Sequence, residues 1–306
     1  MTGLRTLVRA GAHTLAQAGI ASADVDALAL AAHVLRVETS EVRRRMVLGG
    51  DLPTGFEDAY AAQLAERARR VPLQHLTGRA HFRRITLAVG PGVFVPRPET
   101  EVLVGLALAE IDRLTGLGRE VGEGGGGIRL VDLCAGSGAI AFAVKDERPD
   151  TAVRALELSD EALAWARHNR ALLDLDVELV QGDATLPCFA DWAGTVDVVT
   201  VNPPYIPADA TPIEVEVRDH DPGLALYGGG GDGLAIAVRI AGVAASMLRP
   251  GGLLLMEHAE SQGGSLPAAL TSAGAWTEVG DHLDLCARPR VTSARTASRG
   301  RLMDAD

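Results

Sequence analysis

The sequence predicts an α/β protein, a mostly parallel sheet covered by helices and preceded by a small helical domain. Three observations carry that expectation. From residue 128 onward, short apolar runs (128–133, 153–158, 177–180, 196–201 and 253–256) alternate with helical patterns. Strands that read as near-continuous apolar runs are buried on both faces. Residues 1–78 instead show helical periodicity throughout. Finally, a loop of small residues, Asp132-Leu133-Cys134-Ala135-Gly136-Ser137-Gly138, follows the first apolar run, where open α/β sheets bind their ligands.

In the N-terminal domain, assigned to residues 1–78, Leu4, Leu7, Val8 and Leu15 recur at helical spacing. Ser22 is placed to cap a second helix, with Val25, Leu28, Ala29, Ala32 and Leu35 on one face. Thr54 and Glu57, preceded by Pro53, fit a capping box, and Tyr60 and Leu64 follow on one face. Residues 79–95 read as a β-hairpin linker. Phe82, Ile85, Leu87 and Val89 alternate, Gly90-Pro91-Gly92 turns the chain, and Val93-Phe94-Val95 returns. The sheet domain is assigned to 96–290 and carries a flexible glycine-rich insertion at 122–127. Ser159-Asp160-Glu161 supplies a helix cap with acids in the first turn. Residues 291–306, small and polar, are expected to form a disordered tail.

Apolar residues make up 47% of the 306 positions, enough for a substantial core. The net charge of −11 argues against a broad grip on nucleic-acid phosphates and suits a protein or small-molecule substrate. Cys134, Cys188 and Cys286 are odd in number and widely spaced. They suggest neither a disulfide framework nor a zinc site, and no metal is expected. No stretch approaches about 18 uninterrupted apolar residues, and residues 1–15 lack a secretory apolar region. The expected location is the cytoplasm, with no membrane partner.

Small residues at Cys134, Ala135, Gly136, Ser137 and Gly138 let a ligand approach the backbone closely. Glu157 ends the next apolar run, where an acid can accept hydrogen bonds from both ribose hydroxyls of a nucleoside. Asp183 ends the third, where an acid can accept from an adenine amino group. Each alone also reads as a solvated strand-end carboxylate. Asp132, Glu157 and Asp183 together, at three successive strand ends, read as a nucleoside site.

The fourth apolar run leads directly into Asn202-Pro203-Pro204-Tyr205. This tetrapeptide resembles the amino-methyltransferase signature N/D-P-P-Y/F, found in enzymes that methylate planar nitrogens. An amide nitrogen is a poor nucleophile because its lone pair is delocalised, the same resonance that gives peptide bonds a rotation barrier of ~18–20 kcal/mol. An acceptor on each N–H draws the nitrogen toward the geometry that attack needs. Asn202 offers its side-chain oxygen and Pro203 its backbone carbonyl. The two prolines fix φ and remove competing N–H donors, and Tyr205 offers a flat face to a planar amide.

Further motifs narrow the resemblance. Residues 71–78 (Val-Pro-Leu-Gln-His-Leu-Thr-Gly), Phe82, and 95–101 (Val-Pro-Arg-Pro-Glu-Thr-Glu) are similar to the entry of the methyltransferase domain in the HemK/PrmC family, the release-factor glutamine N5-methyltransferases. Residues 130–141, 202–206, 221–233 and 248–257 fit as well. The resemblance implies a class I S-adenosylmethionine-dependent methyltransferase fold, Rossmann-like, with a seven-stranded, mostly parallel sheet. It implies that Asp132, Cys134 to Gly138, Glu157, Asp183, Ala184 and Asn202 hold S-adenosylmethionine. It implies that Asn202 to Tyr205 hold the glutamine of a Gly-Gly-Gln motif in class 1 peptide chain release factors.

Phe94, Arg97, Glu99 and Thr100 would line the same pocket. The structural alternative pairs Arg97 with Glu99 or Glu101 and puts Phe94 in the core. Two positions depart from the family: Ala184 stands where some members carry a tryptophan, and Cys286 where glycine is usual. Glu257 and His258, ending a strand near the pocket, read as structural. The helical domain would dock the release-factor body, and the chain is expected to act as a monomer without direct nucleic-acid contact. The rival readings are an adenine-N6 nucleic-acid methyltransferase and a non-catalytic cofactor-binding translation partner.

Overall fold

The computed structural model describes residues 3–118 and 127–297. In chain order the first half holds helices α1 (Leu4–Gln17), α2 (Ala23–Leu35), α3 (Thr39–Leu48), α4 (Phe56–Ala68) and α5 (Leu73–Thr77), strands β1 (Arg79–Phe82) and β2 (Ile85–Ala88), α6 (Glu101–Gly116), β3 (Arg129–Leu133), α7 (Ala139–Glu147) and β4 (Ala152–Glu157). Then come α8 (Asp160–Leu173), β5 (Glu178–Gln181), β6 (Val196–Val201), α9 (Val215–His220), α10 (Ala235–Met247), β7 (Leu248–Glu257), α11 (Ser265–Ser272), β8 (Trp276–Leu283) and β9 (Pro289–Thr296). The chain divides into two compact units. The first comprises residues up to Arg79 with Val89–Pro91 and Pro212–His220, and the second comprises the remainder.

In the first unit, Leu4, Val8, Leu15, Ala27, Leu30, Phe56 and Tyr60 form one buried cluster. The Tyr60 hydroxyl donates to the Ala27 carbonyl at 2.9 Å. Two expected caps do not form. Ser22 sits at the N-cap of α2, but its backbone is not extended (φ −95°, ψ 26°) and its side chain accepts no bond. The N-cap of α4 is Gly55, with φ +82°, because Pro53 to Phe56 closes a tight turn that consumes the Phe56 N–H. On α2, Leu28 and Ala32 are buried as expected, but Val25 is exposed and Ala23, Asp26, Ala27 and Leu30 also face inward. Asp26 is an acid on that face because Arg67 meets it at 2.7 Å, a buried ion pair that apolar periodicity cannot reveal. Arg67 and Arg70 also grip Glu216 of α9, at 2.9 and 2.6 Å. The segment closely following the tetrapeptide therefore belongs to the helical unit.

The second unit is a seven-stranded sheet in the order β5-β4-β3-β6-β7-β9-β8. Only β9 runs opposite to the other six strands, so the expected mostly parallel sheet is present. Every residue of β6 is buried. Register brings Leu133 beside Leu156 and Val201, Glu157 beside Gln181, and Val201 beside Met256. The C-terminal ends of five parallel strands thus share one edge, the edge at which such sheets bind ligands.

Two sequence expectations are corrected here. The hairpin turns at Arg83 and Arg84, joining β1 to β2, and residues 93–95 form no returning strand. Val93 and Val95 are core residues instead. The expected tail begins with strand: β9 lies between β7 and β8, with Val291, Thr292 and Ala294 fully buried. Its small polar residues look tail-like, yet pairing with β7 and β8 satisfies their backbone, and Arg295 donates twice to Glu110 of α6, each at 2.9 Å. Residues 298–306 and most of the glycine insertion, 122–126, lie outside the described residues.

Candidate active site

The small-residue loop leaves β3 along the shared edge. Cys134 has φ +63°, Gly136 +57° and Gly138 +86°, a left-handed bend that lifts the chain off the strand before α7 starts. A Cβ at Gly138 would lie 2.1 Å from the Phe142 ring, so only glycine fits there. At Gly136 a Cβ would meet nothing within 4 Å, which leaves open space beside the loop. Glu157 braces the loop from β4. Its two oxygens accept from the Gly136 N–H at 2.7 Å and the Ser159 N–H at 2.8 Å. The Ser159 hydroxyl caps α8 by accepting from Ala162 at 3.3 Å, as expected.

The other acids are held in place too. Asp132 is fully buried and accepts from the Thr200 hydroxyl at 2.9 Å. Burial raises its carboxyl to about 7, against the pull of that hydroxyl and with Glu157 adding to the rise. Asp183 accepts from the N–H and hydroxyl of Thr185 at 2.8 and 2.7 Å, which lowers its pKa. Burial, then Glu157, Asp132 and Asp183, push the Cys134 thiol up and keep it neutral. Three carboxyl groups thus surround one open loop. That acceptor set fits the hydroxyls, amino group and positive charge of S-adenosylmethionine. The Ala184 methyl is packed into the core, so only its backbone is left for a ligand.

Asn202 to Tyr205 emerge from β6 on the same edge, and distant segments hold them. Ile206 pairs with Tyr227, the Ile206 N–H donating to Leu226 at 2.8 Å and the Gly228 N–H to Ile206 at 2.9 Å. A Cβ on Gly228 would sit 2.0 Å from the Gly233 carbonyl and 2.5 Å from that of Pro204. One on Gly233 would sit 2.2 Å from the Tyr205 carbonyl. Gln262 donates to the Tyr205 and Asp232 carbonyls at 2.9 and 2.7 Å and accepts from the Ala259 N–H at 2.9 Å. Burial, reinforced by Glu257, pushes the Tyr205 hydroxyl up, so the ring stays neutral.

The 94–100 segment splits between its two expected readings. Arg97 meets the buried Asp221 at 2.9 Å and lies over the half-buried Phe94 ring, 5.2 Å from its centre. Glu99 faces Arg288 at 3.5 Å. Thr100 is buried and, with Asn202, faces the carboxyl of Glu257. Burial raises that carboxyl to about 7, against the pull of Thr100, Arg290 and Asn202.

Residues 6–78 match the family model "PrmC N-terminal domain", and 123–218 match "Methyltransferase small domain". The release factor glutamine methyltransferase of Streptomyces coelicolor is 45% identical over 284 residues, covering 92% of this chain and 94% of its own. That of Mycolicibacterium smegmatis is 42% identical over 300 residues, covering 98% and 100%. The chain belongs to the release factor glutamine methyltransferase family. That membership agrees with the residues at the edge, because the tetrapeptide, the small-residue loop and the strand-end acids lie together in the second unit.

Sequence reasoning missed several supports of the candidate site. Gly228 and Gly233 fall within the 221–233 segment that fits the family but had no role read for them, and Gln262 lies outside every motif. Asn169, fully buried on α8, donates to the Ser137 and Ala88 carbonyls and ties the small-residue loop to β2. Its only sequence signal was a polar residue on the inner face of a helix. Cys286 lies in the turn between β8 and β9, where Asp284 accepts from its N–H, so its departure from glycine touches only that turn. Among the described residues no cluster suited to a metal ion occurs, and no helix is long and apolar enough to cross a membrane.

Proposed function

We propose that this protein transfers a methyl group from S-adenosylmethionine to the side-chain amide nitrogen of the glutamine in a release factor's Gly-Gly-Gln motif. The observation that supports it most is the rigidly backed Asn202-Pro203-Pro204-Tyr205 turn on the same strand edge as an acid-rimmed, open loop. Bound S-adenosylmethionine supplies a methyl group on a positively charged sulfur. Glu157 and Asp183 would accept from its ribose hydroxyls and adenine amino group, and residues 134–138 would let it approach the backbone.

The Asn202 oxygen and the Pro203 carbonyl would each accept one N–H of the glutamine amide. That grip fixes the nitrogen's orientation and weakens its resonance with the carbonyl. The neutral Tyr205 ring would lie against the planar amide. No strong base is needed before transfer, because the nitrogen gains positive charge as the methyl arrives and its proton departs afterwards. In-line positioning therefore supplies most of the acceleration. Phe94 and Thr100 would wall the pocket, with Arg97 and Glu99 at its margin. The helical unit would engage the release-factor body, with the protein acting as a monomer and without nucleic acid, in keeping with its net charge of −11.

The test is incubation with methyl-labelled cofactor and either intact release factor or its Gly-Gly-Gln→Gly-Gly-Ala variant. Label should appear on the intact glutamine alone. Equal labelling of both would overturn the assignment, and label on DNA or RNA alone would favour the nucleic-acid reading.

A further inference from the structure

We propose that Glu257 is a positioning residue for methyl transfer: it holds the Asn202 carboxamide by its NH2 group and so turns the carboxamide oxygen toward the amide to be methylated. The inference rests on the glutamine-amide reading above. Asn202 follows β6 and Glu257 ends β7, and Val201 pairs with Met256, so the two residues leave neighbouring parallel strands at one level. The Glu257 residue is 1% exposed, and its Oε2 is buried without a hydrogen bond of normal geometry. The Thr100 hydroxyl and the Asn202 carboxamide face this carboxyl, each placed to donate toward it, and Arg290 and Glu99 act on it from farther away.

In its ionised form this carboxyl only accepts, so a carboxamide beside it then presents its NH2, and the oxygen points the opposite way. That orientation is the one a substrate N–H requires. Without Glu257 the two ends of the carboxamide are nearly equivalent. The flipped form would set an NH2 against the substrate N–H and replace the grip with repulsion. A buried carboxyl with an unfilled oxygen is costly, and an apolar side chain would close this strand end more cheaply. Groups retained at such cost concentrate at functional sites.

The test measures single-turnover methyl transfer to release factor by the wild type, E257L, E257Q, N202A and the E257L/N202A double variant, with cofactor Kd and Tm for each. E257L should lower the transfer rate by about 10- to 100-fold with cofactor Kd and release-factor KM within about threefold. E257Q keeps an acceptor oxygen and should retain at least about a third of the wild-type rate. In the N202A background, E257L should cost less than about twofold more, because its effect passes through Asn202. A merely structural role gives the same loss with or without Asn202, and that result would overturn the proposal, as would an E257L rate equal to wild type. Should E257L fail to fold, E257Q decides alone: a rate below a third of wild type overturns the proposal. A wild-type protein that leaves the release factor unlabelled would instead overturn the reading beneath it.

Discussion

The two loops on the sheet edge are built differently. The loop at 134–138 is held mostly by its near neighbours: the Gly136 N–H reaches Glu157 on the adjacent strand, and the Ala135 N–H reaches Leu156 there. The tetrapeptide at 202–205 is closed in by segments beyond the adjacent strand: Gly228 and Gly233 pack against its carbonyls, and Gln262 donates to Tyr205. A site that binds a mobile small molecule tolerates local scaffolding. A site that must aim one nitrogen needs its backbone locked from several directions, because small misplacements erase the advantage of alignment.

Substitutions can break this contrast. The largest effect is expected at Gly228→Ala, whose methyl would collide with two backbone carbonyls. Stability should fall by about 3 kcal/mol and methyl transfer by at least about tenfold, read by thermal melts and single-turnover rates. Next comes Glu157→Ala, which removes the acceptor expected for the ribose. Cofactor affinity should drop about 100-fold, some 2.7 kcal/mol, while the rate at saturating cofactor changes by less than about fivefold. Comparable losses in rate and affinity would erase the distinction between the loops.

Gln262→Ala should lower the rate by about fivefold with cofactor affinity kept, since it leaves the Tyr205 and Asp232 carbonyls unpaired.

The smallest effect tests the sheet behind both loops. Burial alone would raise the Glu110 carboxyl, but hydrogen bonds from Arg113 and Arg295 overcome it and lower the carboxyl from 4.5 to about 2. Its folded pKa lies below the unfolded one, so the stability it contributes is present above pH 4.5 and is lost as pH falls toward 2. Glu110→Gln should therefore flatten the acid limb of the stability curve without moving activity at neutral pH.

This contrast also explains what the sequence could reveal. The sheet was legible because parallel strands buried on both faces read as apolar runs. The strand-end acids and the small-residue loop were legible because the residues that make them are contiguous or repeat at each strand end. The tetrapeptide was legible for the same reason. Its supports were less so: the 221–233 segment stood out without showing that Gly228 meets the tetrapeptide, and Gln262 reaches it only through chain reversals that no local pattern encodes. Strand β9 was misread because Thr, Ser and Ala signal a tail unless the flanking strands are known. Arg97 was read either as a pocket residue or as a partner of Glu99 or Glu101, whereas Asp221, which it meets, lies more than a hundred positions away.

In the proposed reaction the acceptors of the tetrapeptide hold the substrate amide and aim its nitrogen. The most direct test is single-turnover methyl transfer to release factor by Asn202→Ala at saturating cofactor, with cofactor Kd measured on the same preparation. The rate should fall by about 100-fold or more while Kd stays within about fivefold. A rate within threefold of wild type would contradict the account.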